Sequence, residues 1–237
     1  MKDGTEDVVT RPEDPTMPRV VGKTGGPGEA QRFPISDSRF PASVAVLALQ
    51  GDFEAHRQAL ARMGIASFEA RKPSEIEDAA GVVIPGGEST TLWKFFELAP
   101  WEAALTRFAA SGRPMLGTCA GAIVLAREVT NPAQKALGLL DISIERNGYG
   151  RQADSFLGAV DAPSLGGQIP AVFIRAPRIR AVGPRVDVLA TREGEPVLVR
   201  QGNVVAATFH PELTADERVH RLAFGSVDAE TPVEVSR

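Results

Sequence analysis

The sequence predicts an α/β domain of three layers: a mostly parallel central sheet, helices on both faces, and an antiparallel extension. Three observations carry this. Short apolar runs, Val44–Leu49 and Gly81–Ile84, are continuous rather than alternating, as in strands buried on both faces. Segments with helical spacing lie between them, and strands alternating with helices wind a parallel sheet. Past residue 140 the texture changes to strands separated only by turns.

Residues 1–43 precede this pattern and differ from it. They contain Pro12, Pro15, Pro18, Pro27, Pro34 and Pro41, with Gly22, Gly25, Gly26 and Gly28 between them and no apolar periodicity. This stretch reads as a disordered leader, with a functional tail and a start codon placed too early as competing explanations. The domain then spans 44–226, with 227–237 a flexible tail.

Within the domain, Val44–Leu49 is the first strand, and Gln50-Gly51-Asp52 breaks it. Phe53, His56, Leu60 and Met63 recur at helical spacing, and Gly64 ends that helix. Ser67–Ala70 and Gly81–Ile84 are the next strands. Pro85-Gly86-Gly87-Glu88-Ser89-Thr90-Thr91 follows, either a nest of backbone donors or an ordinary loop with a Ser/Thr cap. Helices are expected over 91–98 and 101–110. Short strands are expected at 142–144, 156–160, 171–174, 186–189 and 196–199.

The chemistry concentrates in Pro114–Leu125. It holds Cys119, the sole cysteine, between Gly117 and Gly121, after an apolar run and before an Ala-rich helix. This is the thiol form of a strand-turn-helix elbow, with glycines where a side chain would clash. The N–H of Ala120 and its successors lie at a helix N-terminus, able to stabilise a thiolate or an oxyanion. A lone cysteine is more often a small buried apolar residue. The distant Phe209-His210-Pro211-Glu212 shifts the balance: it supplies a base at the end of a late strand and a carboxylate two residues on, completing nucleophile, base and orienter. His56 and His220 lack such a setting and read as structural, His56 near a helix–sheet interface. Arg146 and Arg175, near strand ends, are candidates for binding a carboxylate, although surface ion pairing is the commoner role.

Composition excludes several classes. The net charge of −4 gives no basic field for nucleic acid, and no apolar run reaches the length of a membrane span. One cysteine allows no internal disulfide, no signal peptide is visible, and a cytoplasmic location is expected. No metal-ligand cluster or cofactor motif is present, so neither metal nor cofactor is expected.

These blocks together resemble the class I, triad-type glutamine amidotransferases, of flavodoxin-like fold. Gly117-Thr118-Cys119-Ala120-Gly121 and His210-Pro211-Glu212 are specific to that superfamily. Ala48-Leu49-Gln50-Gly51, Pro85–Thr91, Glu145-Arg146-Asn147, Gly150–Phe156 and Phe173-Ile174-Arg175-Ala176-Pro177 resemble the branch that serves pyridoxal 5′-phosphate synthase. The resemblance covers 44–224 and leaves the leader without a counterpart. It implies Cys119, His210 and Glu212 as the catalytic triad, and Gly87 and Ala120 as oxyanion donors. It also implies Gly87, Glu88, Ser89, Arg146, Ile174 and Arg175 as the L-glutamine pocket. The implied reaction is hydrolysis of glutamine through a Cys thioester. The ammonia would pass through a channel to a synthase subunit that makes pyridoxal phosphate from ribose 5-phosphate and glyceraldehyde 3-phosphate, in an assembly of twelve glutaminases on a dodecameric core. Control by the partner would act on the Gly86–Gly87 peptide. Three other readings compete: the glutaminase of another amidotransferase, a related Cys hydrolase, and a non-catalytic binding module.

Overall fold

The computed structural model describes residues 42–148 and 155–227. Most of the proposed leader, the tail from 228 on, and the Gly150–Asp154 part of the motif above lie outside the described residues. Ser43 belongs to the domain: its carbonyl accepts a hydrogen bond from Ala80 N at 2.8 Å.

The strands β1 (Val44–Leu47), β2 (Ser67–Ala70), β3 (Gly81–Ile84), β4 (Met115–Thr118) and β12 (Val204–Ala207) form a parallel array in the order β2-β1-β3-β4-β12. Val44 and Val46 face one side, and Ala45 and Leu47 the other, so both faces are apolar and both are covered. On one face lie α1 (Phe53–Arg62) and α5 (Arg218–Phe224), which contribute Leu60, Val219 and Phe224 to that core. On the other lie α2 (Ser89–Leu98), α3 (Trp101–Ala110) and α4 (Ala120–Leu125), which contribute Leu92, Phe96, Trp101, Phe108 and Val124.

The expected antiparallel extension is present. From β12 the sheet continues through β11 (Glu195–Gln201), β10 (Asp187–Arg192), β7 (Phe156–Ala162) and β8 (Gly167–Phe173), each antiparallel to its neighbour. The strand expected at 142–144 is part of β6 (Leu140–Glu145), which does not extend this sheet. It lies in a separate three-stranded sheet between β5 (Ala126–Thr130) and β9 (Arg178–Val182). Neither β5 nor β9 stands out in the sequence. β5 follows α4 without a break and is exposed at Arg127 and Glu128, so it lacks an apolar run. Among the described residues no helix is long and apolar enough to cross a membrane.

Candidate active site

Four loops meet beyond the carboxyl ends of the parallel strands, where such sheets form their sites. They follow β1 (Gln50–Asp52), β3 (Pro85–Glu88), β4 (Cys119) and β12 (Thr208–Leu213). They enclose a cavity of about 270 Å³ lined by Gly51, Asp52, Gly86, Gly87, Glu88, Ser89, Cys119, Ile123, Arg146, Asn147, Ile174, Arg175, His210 and Leu213.

Cys119 sits on a strained turn. Its φ of 47° and ψ of −101° lie where a non-glycine residue is rarely held, the signature of an elbow that pushes a side chain outward. The strain is imposed by packing. A Cβ on Gly121 would come within 2.0 Å of Ile84 O, so only glycine lets α4 start this close to β3. The carbonyl of Cys119 accepts the first helical bond, from Ile123 N at 3.1 Å, so the N–H of Ala120 has no acceptor within the helix. The thiol itself lies 3.9 Å from the Ile174 carbonyl.

His210 reaches Cys119 from the opposite wall. Its backbone N–H donates to Val172 O at 2.8 Å, which anchors the loop to β8. Glu212 follows in a 3-10 turn started by Pro211, and its Oε1 lies 2.7 Å from His210 Nδ1. Nδ1–H therefore donates to the carboxylate, and Nε2 is left for the sulfur. Burial opposes charge on His210, but the hydrogen bonds to Cys119 and Glu212, with their charges, outweigh it and raise its pKa to about 10. Burial likewise opposes charge on Glu212, and here His56 and His210 outweigh it and hold the carboxyl well below its usual range.

The remaining pocket residues arrive from both sheets. Arg146 follows β6, and its Nη2 donates to Glu88 Oε1 at 3.0 Å across the cavity. Ile174 and Arg175 follow β8, and Arg175 has a φ of 44°. Ser89 Oγ donates to Gln134 Oε1 at 2.9 Å. Every pocket residue expected from the sequence lines the cavity. Ala120 and Glu212 lie just behind Cys119 and His210.

Sequence reasoning passes over three contributors. Gln50 clasps the loop after β3: its Nε2 lies 3.5 Å from Gly86 O, and its Oε1 accepts Glu88 N–H at 2.9 Å. Because the peptide is planar, the Gly87 N–H points away from Gln50. Thr118 Oγ1 accepts Gly86 N–H at 3.1 Å. His56 lies on the helix–sheet interface as expected, but it is more than packing: its Nε2 is 3.4 Å from Glu212 Oε2. Gln50 stands inside the Ala48–Gly51 block and so carries a signal. His56 carries none, because only the fold brings α1 to the loop after β12.

Known proteins resemble this chain in sequence and in fold. The chain is 55% identical over 179 residues to "Pyridoxal 5′-phosphate synthase subunit PdxT" of Koribacter versatilis, covering 76% of this chain and 92% of that protein. The protein of the same name from Deinococcus radiodurans is 48% identical over 188 residues, covering 77% of this chain and 96% of the relative. A solved structure described as a glutamine amidotransferase superposes with a TM-score of 0.73 at 46% identity, covering 78% of this chain and 98% of the other. A glutamine amidotransferase from Thermotoga maritima, at 15% identity and a TM-score of 0.54, covers 78% of this chain and 83% of its own and shares the fold. The family model that matches, over residues 46–228, takes in the elbow, both arginines and the His-Pro-Glu turn together, and the chain belongs to that family, the SNO glutamine amidotransferases.

Proposed function

We propose that this protein is the glutaminase subunit of a pyridoxal 5′-phosphate synthase. It hydrolyses L-glutamine to L-glutamate and ammonia and hands the ammonia to a synthase subunit. The observation that carries the reading is a strained Cys119 facing a His210 that is bonded to Glu212 at 2.7 Å, at the base of a cavity walled by Glu88, Arg146 and Arg175.

The reaction follows from these groups. The Cys119 sulfur, its proton on His210, attacks the side-chain amide carbon of glutamine. The carbonyl π electrons move to oxygen, where the N–H groups of Gly87 and Ala120 stabilise the charge. As the oxyanion collapses, the C–N bond breaks and His210 Nε2–H protonates the departing nitrogen, which leaves as ammonia. A γ-glutamyl thioester remains on Cys119. Neutral His210 then takes a proton from water, whose oxygen attacks the thioester, and glutamate leaves with the thiolate restored. Glu212 holds the imidazole tautomer and stabilises its charged form in both halves. Arg146 and Arg175 take the substrate's α-carboxylate, and Glu88 its α-ammonium.

Gln50 gives the loop after β3 a defined resting state. The family pattern implies that the synthase subunit biases the Gly86–Gly87 peptide toward the orientation that receives the oxyanion, in a cytoplasmic assembly of twelve glutaminases on a twelve-subunit core. The test is glutamate release by the chain alone and with the synthase subunit. Partner-stimulated turnover is expected. No release under either condition contradicts the assignment.

A further inference from the structure

Behind His210, away from the cavity, lies a buried polar cluster that the reaction above does not use. His56 on α1, Thr118 at the end of β4 and His220 on α5 are all fully buried. His56 Nδ1 is 3.0 Å from His220 Nε2, and the two rings are tilted at 58°. His56 Nε2 is 3.1 Å from Thr118 Oγ1 and 3.4 Å from Glu212 Oε2.

Donor–acceptor accounting decides where the protons are. Ionised Glu212 has only acceptors. A bare lone pair on His56 Nε2 would oppose Oε2 across 3.4 Å, so Nε2 carries the proton. In a neutral ring Nδ1 is then the acceptor, and His220 Nε2–H donates to it. This leaves His220 Nδ1 as a lone pair, and Nδ1 is indeed without a hydrogen-bond partner. The opposite tautomers would strand a buried N–H there, the costlier orphan. Burial, the largest effect, depresses the pKa of His220 to about 3 against the opposing pull of Glu212, in keeping with a neutral ring. His56 Nε2 is thus hydrogen-bonded with Thr118 Oγ1 and makes a longer electrostatic contact with Glu212 Oε2, an oxygen with no hydrogen-bond partner, while His210 donates to Oε1.

We propose that His56, backed by His220, is a positioning residue for amide hydrolysis. It holds Glu212 Oε2 so that Oε1 stays on His210 Nδ1 while the imidazole gains and loses its proton. Through Thr118, which accepts both His56 Nε2–H and Gly86 N–H, the same residue ties the orienting carboxylate to the oxyanion loop. The inference rests on the glutaminase reading for its substrate. The groups facing Glu212 are His210 on its own loop, His56 from α1, beyond these Cys119 and His220, and, on the outer side, Asp52, Glu54 and Arg62, which line a shallow pocket with it.

Two polar substitutions separate positioning from packing. Gln in place of His56 can put an amide N–H where Nε2 was. Asn is too short to reach Glu212, but it can still bond His220. Glutamine hydrolysis is measured with the synthase subunit present, alongside melting temperature. For His56→Asn we expect a 10- to 100-fold fall in kcat with KM within about twofold, because Glu212 loses the contact that holds Oε2 and His210 loses its alignment. His56→Gln should recover most of the turnover. Either an unchanged kcat in a folded His56→Asn, or a His56→Gln with the wild-type melting temperature and the turnover of His56→Asn, would overturn the proposal. Should His56→Asn not fold, the Gln variant alone decides. The rate of Cys119 alkylation by iodoacetamide, which follows the thiolate fraction, reads the alignment of His210 without glutamine and should change in His56→Asn and return in His56→Gln. A chain that hydrolyses no glutamine would therefore count against the function and leave this test standing.

Discussion

The two sides of the His210 ring are built on opposite principles. Its front faces a polar cavity of charged side chains and strained backbone: Cys119 and Arg175 both have positive φ, and the Glu88–Arg146 pair spans the opening. Its back faces a buried interior where His56 is hydrogen-bonded to His220 and Thr118, and Glu212 to His210. Reactive groups in front must stay free to meet substrate, so their order comes from the backbone. Groups behind never meet substrate, so their order comes from one another. In a water-poor setting each such bond is stronger, and each unmade bond costs more.

Substitutions in front should have the largest effects. Cys119→Ala removes the proposed nucleophile and should lower ammonia release by at least ~10³-fold while glutamine still binds, as isothermal titration would show. Retained turnover would mean that the strained elbow does not mark the reacting group. Next comes Glu212→Gln, at the boundary between the two sides. It should keep the fold and lower kcat by ~10²–10⁴-fold, because the imidazolium loses its carboxylate. Steady-state kinetics showing an unchanged kcat would reduce Glu212 to a loop residue.

The backbone under the front is tested by Gly121→Ala. The added methyl would meet Ile84 O at 2.0 Å, so α4 must move off β3. A loss of ~1–3 kcal/mol in denaturant unfolding is expected, together with a drop in turnover as the elbow shifts. Wild-type stability would show that the elbow relaxes freely.

The smallest effect belongs to the back and depends on pH. His220 titrates near 6.5 when unfolded and near 3 when folded. Between these values protons bind the unfolded chain preferentially, so His220 lowers stability as pH falls from 6.5 toward 3, by up to ~1.4 kcal/mol per pH unit. Glu212, whose folded pKa is depressed, loses its own contribution only below about 4.5. His220→Phe should therefore flatten the stability profile between pH 6.5 and 4.5 and leave the steeper fall at lower pH. Parallel profiles for both proteins would place the acid sensitivity elsewhere.

The same division governs what is legible in the sequence. The front is written in local spacing: glycines flank Cys119, Glu212 follows His210 by two residues, and Arg146 and Arg175 sit at strand ends. The parallel strands are equally legible as continuous apolar runs. The back is assembled from α1, β4, α5 and the loop after β12, so His56 and His220 are 164 residues apart yet 3.0 Å in contact. No spacing rule reaches that far, and each histidine taken alone reads as a buried helix residue. The small β5-β6-β9 sheet escapes for a related reason. The exposed positions of β5 break its apolar pattern, and its pairing partner β6 begins only at Leu140.

The central claim is that Cys119 carries the acyl group. Rapid acid quench of the protein turning over glutamine with its synthase subunit, followed by peptide mass spectrometry, tests it directly. A γ-glutamyl adduct, glutamine less ammonia, is predicted on the peptide containing Cys119, forming and decaying at rates that account for glutamate release. Glutamate release with no adduct on Cys119, in a quench fast enough to catch a thioester that decays at the turnover rate, would contradict the account.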